Sequence, residues 1–542
     1  MFFTLAVSAA TREGCAALTE RALTVDPSVM PVPGPAEVAW RSPDGRAALL
    51  HWGLVRGRAA GASHAGTIWA GTPESGSDCA PVCARTTLTR VDPVYLAEVP
   101  GAVIVADRAT WAAWAASRLD DHNPLHLCAL LNPGFPLGSV TPFAGVTALA
   151  GSATLRLLNG ALTRGQGDGQ PDGLARGSAS GLAGARGVAE ALVAAVAPLR
   201  DAGEPVELSL TGGKDSRLIA AALVKAGVPV AAKTHGFDDH PDVVVAAEIA
   251  RRLGIEHVVR TPAAPGQRVD VLGRIRATVL VADGMLSAFE NVGRPDPAAS
   301  PALTAGGHGG ELLRGGYAET AGRPGAPGGL RAVLSPARRA ARSAELLRRL
   351  TTKHLDLVRR GPAAVYVASL APWTAPLARR PLRALDDFYL VNRAGRWSAA
   401  ARQAYMLRER LVQPLFDDRV VLAARTVPLP DRVSGALPAA VLAELSPALT
   451  DVPLAGKPDP ARAPFDWRRQ YGDAVSSFLR GYILDLGTAG GLFEVVSRPA
   501  AEKLLTPPHA DRATVWALAT LACLVSGDYR KAREKSPQLP VT

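Results

Sequence analysis

Residues 208–220 read LSLTGGKDSRLIA, an apolar run entering Thr211-Gly212-Gly213-Lys214-Asp215-Ser216 and a helix-forming run leaving it. Adjacent glycines let a backbone turn tightly and aim its N–H groups into one concavity, an anion nest. A helix starting there adds the positive end of its dipole. The hydroxyls of Thr211 and Ser216 can donate to the same oxygens. A carboxylate at Asp215 repels bare phosphate but holds Mg²⁺ against it. The chemistry these residues can do together is the binding of phosphate with its metal. The spacing is neither G-x-x-x-x-G-K-[ST] nor G-x-G-x-x-G.

A second segment, LTAGGHGGELLRGGY at 303–317, packs six glycines around one acid and one histidine. So many glycines make a poor helix and a costly loop. They suit close approach of backbone to a nucleotide at Gly306 and Gly307, with Glu311 as a second carboxylate for Mg²⁺. His308, set among these glycines, is a candidate proton acceptor. Asp215 and Glu311 then stand at two strand ends of one sheet, where α/β proteins bind ligands.

The elements that must position these residues alternate strand and helix from about 187. VAEALVAAVAPLRDAG reads as helix, PVELSL as strand and SRLIAAALVKAG as helix. PVAAKTHGF (strand), PDVVVAAEIARRLG (helix) and EHVVRT (strand) continue the pattern, predicting a parallel sheet covered on both faces. Residues 1–160 carry short runs (FFTLAV, RAALLHWGLV, GTIWAG, TLTRV, AVIVAD, TLRLL) punctuated by turn residues, an antiparallel β-rich domain. The Gly-rich stretch 161–186 has linker composition, and 319–330 reads as a second, mobile loop. An Arg-rich helical stretch and a mostly helical remainder follow, so 187–542 forms the second domain.

At 542 residues, 48% apolar and 20% charged, two globular domains are expected. The net charge of +11 favours an anionic partner such as a nucleotide or an acidic peptide, although a solvated Arg-rich surface gives the same balance. Basic patches interleaved with aromatics, which would stack bases, are missing, which argues against nucleic acid. Five cysteines make neither a disulfide framework nor a four-ligand zinc set. The opening MFFTLAVSAATREG lacks the basic start of a signal peptide and no run reaches membrane-helix length, so a cytoplasmic protein is expected.

LTGGKDSR and GGHGGELLRGGY together resemble the synthetase domain of glutamine-dependent asparagine synthetase and its relatives, among them β-lactam synthetase and the lasso-peptide cyclases. The first loop is similar to the S-G-G-x-D-S loop of ATP pyrophosphatases. AAKTHGFDDHPDVVVAAEIARRLGIEH (231–257), RERLVQPLFDDRVVLAARTVPLP (408–430) and TPFAGVTALAGSATLRL (141–157) agree with the family in order. The resemblance implies an N-terminal glutaminase-like (Ntn-type) β-rich sandwich, then a parallel-sheet α/β ATP-pyrophosphatase domain with a helical C-terminal part. It implies ATP and Mg²⁺, with Leu210, Thr211, Gly212, Gly213, Lys214, Asp215, Ser216, Thr234, Gly306 and Gly307 around the nucleotide, and Asp215 and Glu311 on the metal. Lys457 resembles the lysine that neutralises the α-phosphate. Glu409, one position off the family's catalytic glutamate, and His308 are the candidate bases. Asp417 and Asp418 read as helix-opening and core-bracing residues. The family's glutaminase uses a cysteine at residue 2; Phe2 stands here, so no glutamine hydrolysis is expected.

An amine must then come from the substrate itself. The expectation is a lasso-peptide cyclase that adenylates an Asp or Glu side chain of a leader-free precursor core peptide. The peptide's N-terminal amine then closes the ring, with a leader-recognition protein and a protease as partners. A β-lactam synthetase-like activity on a small amino acid, or a non-catalytic peptide-binding scaffold, are the alternatives.

Overall fold

The computed structural model describes residues 3–31, 36–52, 67–71, 80–166, 184–261, 268–290, 292, 302–322, 336–407, 410–456, 466–506 and 511–540. Glu409, Lys457, Phe2, most of the 161–186 stretch and 323–330 lie outside them.

Among the described residues ten strands build the N-terminal part: β1 (Phe3–Ala9), β2 (Ala36–Arg41), β3 (Ala47–Trp52), β4 (Thr67–Ala70), β5 (Val82–Arg85), β6 (Tyr95–Val99), β7 (Ala102–Ala106), β8 (Val146–Ala148), β9 (Ala153–Leu158) and β10 (Ala161–Gln166). They form two antiparallel sheets, ordered β2-β3-β1-β7-β6-β8 and β10-β9-β5-β4. The sheets meet face to face, Ala6, Leu49, Leu96 and Val105 of the first packing with Val82, Ala84, Leu155 and Leu157 of the second. β1 is buried on both faces. Its outer side chains Phe3, Leu5 and Val7 share a core with α1 (Arg12–Leu23), α2 (Ala109–Ala115) and α3 (Pro124–Leu131), through Cys15, Trp111 and Leu127.

Two readings of this region are corrected. The expected linker starts with a strand: Asn159 (φ +52°) and Gly160 (φ +75°) close a two-residue turn that folds Ala161–Gln166 back along β9. Asn-Gly between strands favours this hairpin because both residues tolerate positive φ. TLTRV is not a strand but a tight turn with Arg90 at φ +58°. It docks on the second domain, where the Leu88 N–H donates to Asp418 Oδ1 at 2.9 Å.

The second part begins at α4 (Gly184–Val196) and carries a wholly parallel sheet. Its members are β11 (Val206–Ser209), β12 (Val230–His235), β13 (Glu256–Arg260), β15 (Leu303–Ala305) and β16 (Arg410–Val412), in spatial order β13-β12-β11-β15-β16. β14 (Arg268–Val269) pairs separately with Leu539–Pro540. Connecting helices are α5 (Lys214–Lys225), α6 (Pro241–Leu253) and α7 (Val271–Val281). Val188, Leu192, Leu218, Ile219, Ala246 and Ile249 pack on Val206, Leu208, Ala232 and Ala305. The chain winds outward from β11 to β13, then returns to β15 on β11's other side. That reversal is the switch point where open α/β sheets leave a crevice at the C-terminal strand ends.

Coverage of both faces is also corrected. At the β11–β13 end, among the described residues, alternate positions carry a Glu207–Lys233 ion pair and Val258 is 46% exposed. The mobile-loop reading is corrected at its start, since α8 (Tyr317–Gly322) is helical. Further on lie α9 (Pro336–Thr351) and α10 (Arg360–Ser369). No described helix is long and apolar enough to cross a membrane.

The two parts share one core: the N-terminal helices pack with Val279, Leu479 and Trp516 of the second part. Buried Arg108 donates to Leu280 O and Val281 O, each at 3.0 Å, and pairs with Asp283. Asp283 also accepts from the Ala109 N–H (2.9 Å) and the Thr110 hydroxyl (2.7 Å). Next to it, burial pushes Asp107 up to about 8, against the bond from the Thr4 N–H and the charge of Arg108. The folded chain then holds a proton that the unfolded chain releases near pH 4, so this group's stabilisation falls as pH rises from about 4 to about 8. Asp107→Asn is expected to flatten that slope and raise the thermal midpoint at pH 8 by about 3 °C or more. Calorimetry between pH 5 and 8 checks it.

Candidate functional site

β11 ends at Ser209, and Leu210 extends its ladder: its N–H donates to Lys233 O at 2.9 Å while its side chain is fully buried. The chain then turns through Thr211–Gly213 into α5, whose N-cap Gly213 bears no side chain to cap the helix. The positive end of the helix dipole lies just past the C-terminal end of β11.

The loop amides bond to neighbouring side chains of the chain. The Thr211 N–H donates to Ser216 Oγ (3.1 Å), Gly213 N–H to Thr211 Oγ1 (3.2 Å) and Gly212 N–H to Asp242 Oδ1 on α6 (2.9 Å). The hydroxyls of Thr211 and Ser216 share a 3.0 Å bond. An incoming pyrophosphate must exchange these bonds for its own. Lys214 is half-buried on the first turn. Thr234 is a sheet residue: it is buried, its hydroxyl donates to Leu210 O (2.8 Å) and lies 2.8 Å from His257 Nε2.

From β15 the chain passes Gly306 and Gly307 and folds onto α5. A Cβ on Gly307 would lie 2.6 Å from Ser216 N, and one on Gly310 would lie 2.0 Å from Asp215 Cγ. Gly310 therefore carries the Asp215 carboxylate directly on its backbone. Gly309 (φ +96°) turns the chain against Phe416 and into a short 3₁₀ helix, Gly310–Arg314. This seats Asp215 and half-buried Glu311 near enough for Glu311 to raise the Asp215 pKa. Burial is the larger cause of that rise, and Arg314 opposes it. His308 is exposed at the loop's tip.

Other residues also line or brace the candidate site, and of them only Asp417 is singled out in the sequence, as a helix-opening residue. Arg314, buried, donates to Asp215 Oδ1 (2.5 Å) and Glu319 Oε2 (3.0 Å). The Tyr389 hydroxyl donates to Glu311 Oε2 at 3.1 Å; burial and that carboxylate hold the phenol well above its usual range. Behind the loop, fully buried Asp386 pairs with Arg425 and Arg432, and Arg432 donates to Leu312 O at 2.6 Å. Asp417 caps helix Asp418–Thr426 through the Arg419 N–H (2.8 Å).

Arg217 is the most informative of these. It is buried on α5 and donates to Gly212 O (2.9 Å), Gly213 O (3.0 Å), Val452 O (2.8 Å) and Pro453 O (3.0 Å). With the Ala455 N–H on Gly212 O (3.1 Å), it ties the TGGKDS loop to the segment running toward Lys457. A lysine presents donors from one point and cannot reach both segments. Arg217→Lys should lower ATP–pyrophosphate exchange about 10–100-fold, the equivalent of about 1.5–3 kcal/mol of charge-assisted bonding. Exchange kinetics with circular dichroism in parallel check it.

Among the described residues no group of three or more His, Cys, Asp or Glu clusters as a metal site. Two carboxylates at the crevice suit Mg²⁺, which is bound through one or two carboxylates plus substrate phosphates. Asp215 and Glu311 would hold it.

Residues 187–437 match the family model described as asparagine synthase. No curated protein matches the chain.

Proposed function

From an asparagine synthase domain at residues 187–437, which implies ATP-dependent amide-bond formation, we propose that the chain is an AMP-forming macrolactam synthetase of the lasso-peptide cyclase kind. The observation that carries the reading is the meeting of the TGGKDS and GGHGGE segments at the switch point, with Gly310 against the Asp215 carboxylate. Arg314, bonded to Asp215, and Arg432, bonded to Leu312 O, brace the loop.

The side-chain carboxylate of an Asp or Glu in the peptide attacks the α-phosphorus of ATP. The bond to the bridging oxygen breaks and pyrophosphate leaves toward the first turn of α5. Mg²⁺, when bound, supplies charge neutralisation for the departing phosphates. The peptide's N-terminal amine then attacks the acyl carbon, the bond to AMP breaks, and the amine's proton is released. In this reading His308, exposed on the loop, takes that proton. Lys457 stands for neutralisation of the α-phosphate and Glu409 for a second base. Holding carboxylate and amine in one molecule supplies rate by proximity. A leader-recognition protein and a protease would deliver the leader-free peptide.

The test is to incubate the protein with Mg·ATP and a leader-free peptide and analyse the products. Equal AMP, pyrophosphate and a peptide lighter by one water support the reading; ADP, or no change in peptide mass, contradicts it. His308→Ala should retain pyrophosphate exchange but slow ring closure by about 10²–10⁴. Loss of exchange as well would assign His308 to nucleotide binding.

A further inference from the structure

A groove of about 560 Å³ lies away from the crevice, between α9, α10 and residues 371–378. Its walls include Ala340, Ala344, Val367, Leu370, Leu377 and Ala378, with Arg348 at the edge. Val367 is 46% exposed, and Val365 beside it on α10 is 61% exposed. The walls are rigid: α10 is pinned to α9 by the buried Tyr366 hydroxyl, which donates to Thr351 O at 2.7 Å. An apolar groove between fixed helices, lined by alanines that let a backbone approach closely, is a poor feature to leave in water.

The charge around it is one-sided. Residues 336–380 hold nine arginines and one lysine against Glu345 and Asp356, a net of +8 in a chain whose total is +11. Glu345 pairs with both Arg348 (2.8 Å) and Arg349 (2.6 Å), so one carboxylate is divided between two cations. Lys353 pairs with Asp511 from outside this stretch at 2.8 Å, and arginines still outnumber acids along it.

We propose that this groove docks an amphipathic helix of a second protein, its leucine-like side chains in the groove and its acidic face toward the arginines. The groove walls offer no strand edge, so an added strand has nothing to pair with, whereas a helix laid in a groove needs only apolar anchors at i, i+3, i+4 and i+7. None of the wall residues is an aromatic that would stack a base, which separates the surface from a single-strand nucleic-acid platform. α9 packs on α8, which follows Gly316 directly, so the partner would sit one helix from the GGHGGE loop. This inference goes beyond the proposed reaction and does not depend on it.

The test uses the full chain and a fluorescein-labelled helical peptide of about 18 residues, leucine at the anchor positions and glutamate on the outer face. A scrambled peptide of identical composition and a short RNA duplex are the controls. Fluorescence anisotropy is expected to show the patterned peptide binding at least tenfold tighter than the scrambled one. Val367→Asp and, separately, Arg348→Glu should each weaken it at least tenfold, with pyrophosphate exchange and circular dichroism unchanged. Equal binding of both peptides, no binding of either, or tighter Arg348-dependent binding of the RNA duplex overturns the proposal.

Discussion

Gly310→Ala should abolish ATP–pyrophosphate exchange as completely as loss of a catalytic group, although it adds one methyl group. That methyl would lie 2.0 Å from Asp215 Cγ and 2.1 and 2.3 Å from its oxygens, far inside contact distance. The φ of Gly310 is not positive, so the backbone tolerates alanine and the clash alone is the cause. Either the carboxylate swings away from the strand end or the whole GGHGGE loop shifts. Both would displace the carboxylate proposed to hold Mg²⁺, and a fall of about 10³-fold is expected from the lost stabilisation of developing charge. The strain should also lower the thermal midpoint. An alanine at 310 with exchange within threefold of wild type would show that the Asp215–Gly310 contact is not part of the site.

Asp215→Ala is expected to reach the same loss of exchange by another route, and to differ in stability. It removes a half-buried carboxylate and no core volume, and Arg314 retains its bond to Glu319 at 3.0 Å. The midpoint should therefore move little while exchange falls by about 10³-fold or more. Combining the two substitutions separates the effects. Asp215→Ala makes room for the new methyl, so the double variant should recover most of the stability lost by Gly310→Ala and none of the activity, a large coupling between touching residues. Additive stability losses would mean that the methyl clashes with something other than the carboxylate.

The parallel sheet was legible where local signals agree. β11, α5, β12, α6 and β13 each fall on the runs read from periodicity, because apolar spacing and short connections point the same way. The turn at 211–216 was legible because paired glycines follow a strand and precede a helix start. What escaped depends on distant partners. Arg217 lies in a run of helix formers, and its acceptors at 452 and 453 come from a segment with no pattern of its own. Arg314 reads as one more arginine in a basic chain until Asp215 and Glu319 are seen on either side. The Asn159-Gly160 hairpin signal was present but was masked by the glycine-rich composition after it. TLTRV has strand-like alternation, yet its Leu88 amide is taken by Asp418, more than 300 residues away in sequence.

The most direct measurement of the account is exchange of labelled pyrophosphate into ATP, driven by peptides that differ only at the acceptor carboxylate. With Mg·ATP, a leader-free peptide bearing the acceptor Asp or Glu should support exchange, and one with its amino terminus acetylated should support it equally, since the carboxylate is intact. The Asn or Gln counterpart should give none, because nothing remains to attack the α-phosphorus. Exchange that proceeds with the amide peptide, or that requires a free amine, would contradict adenylation of a side-chain carboxylate.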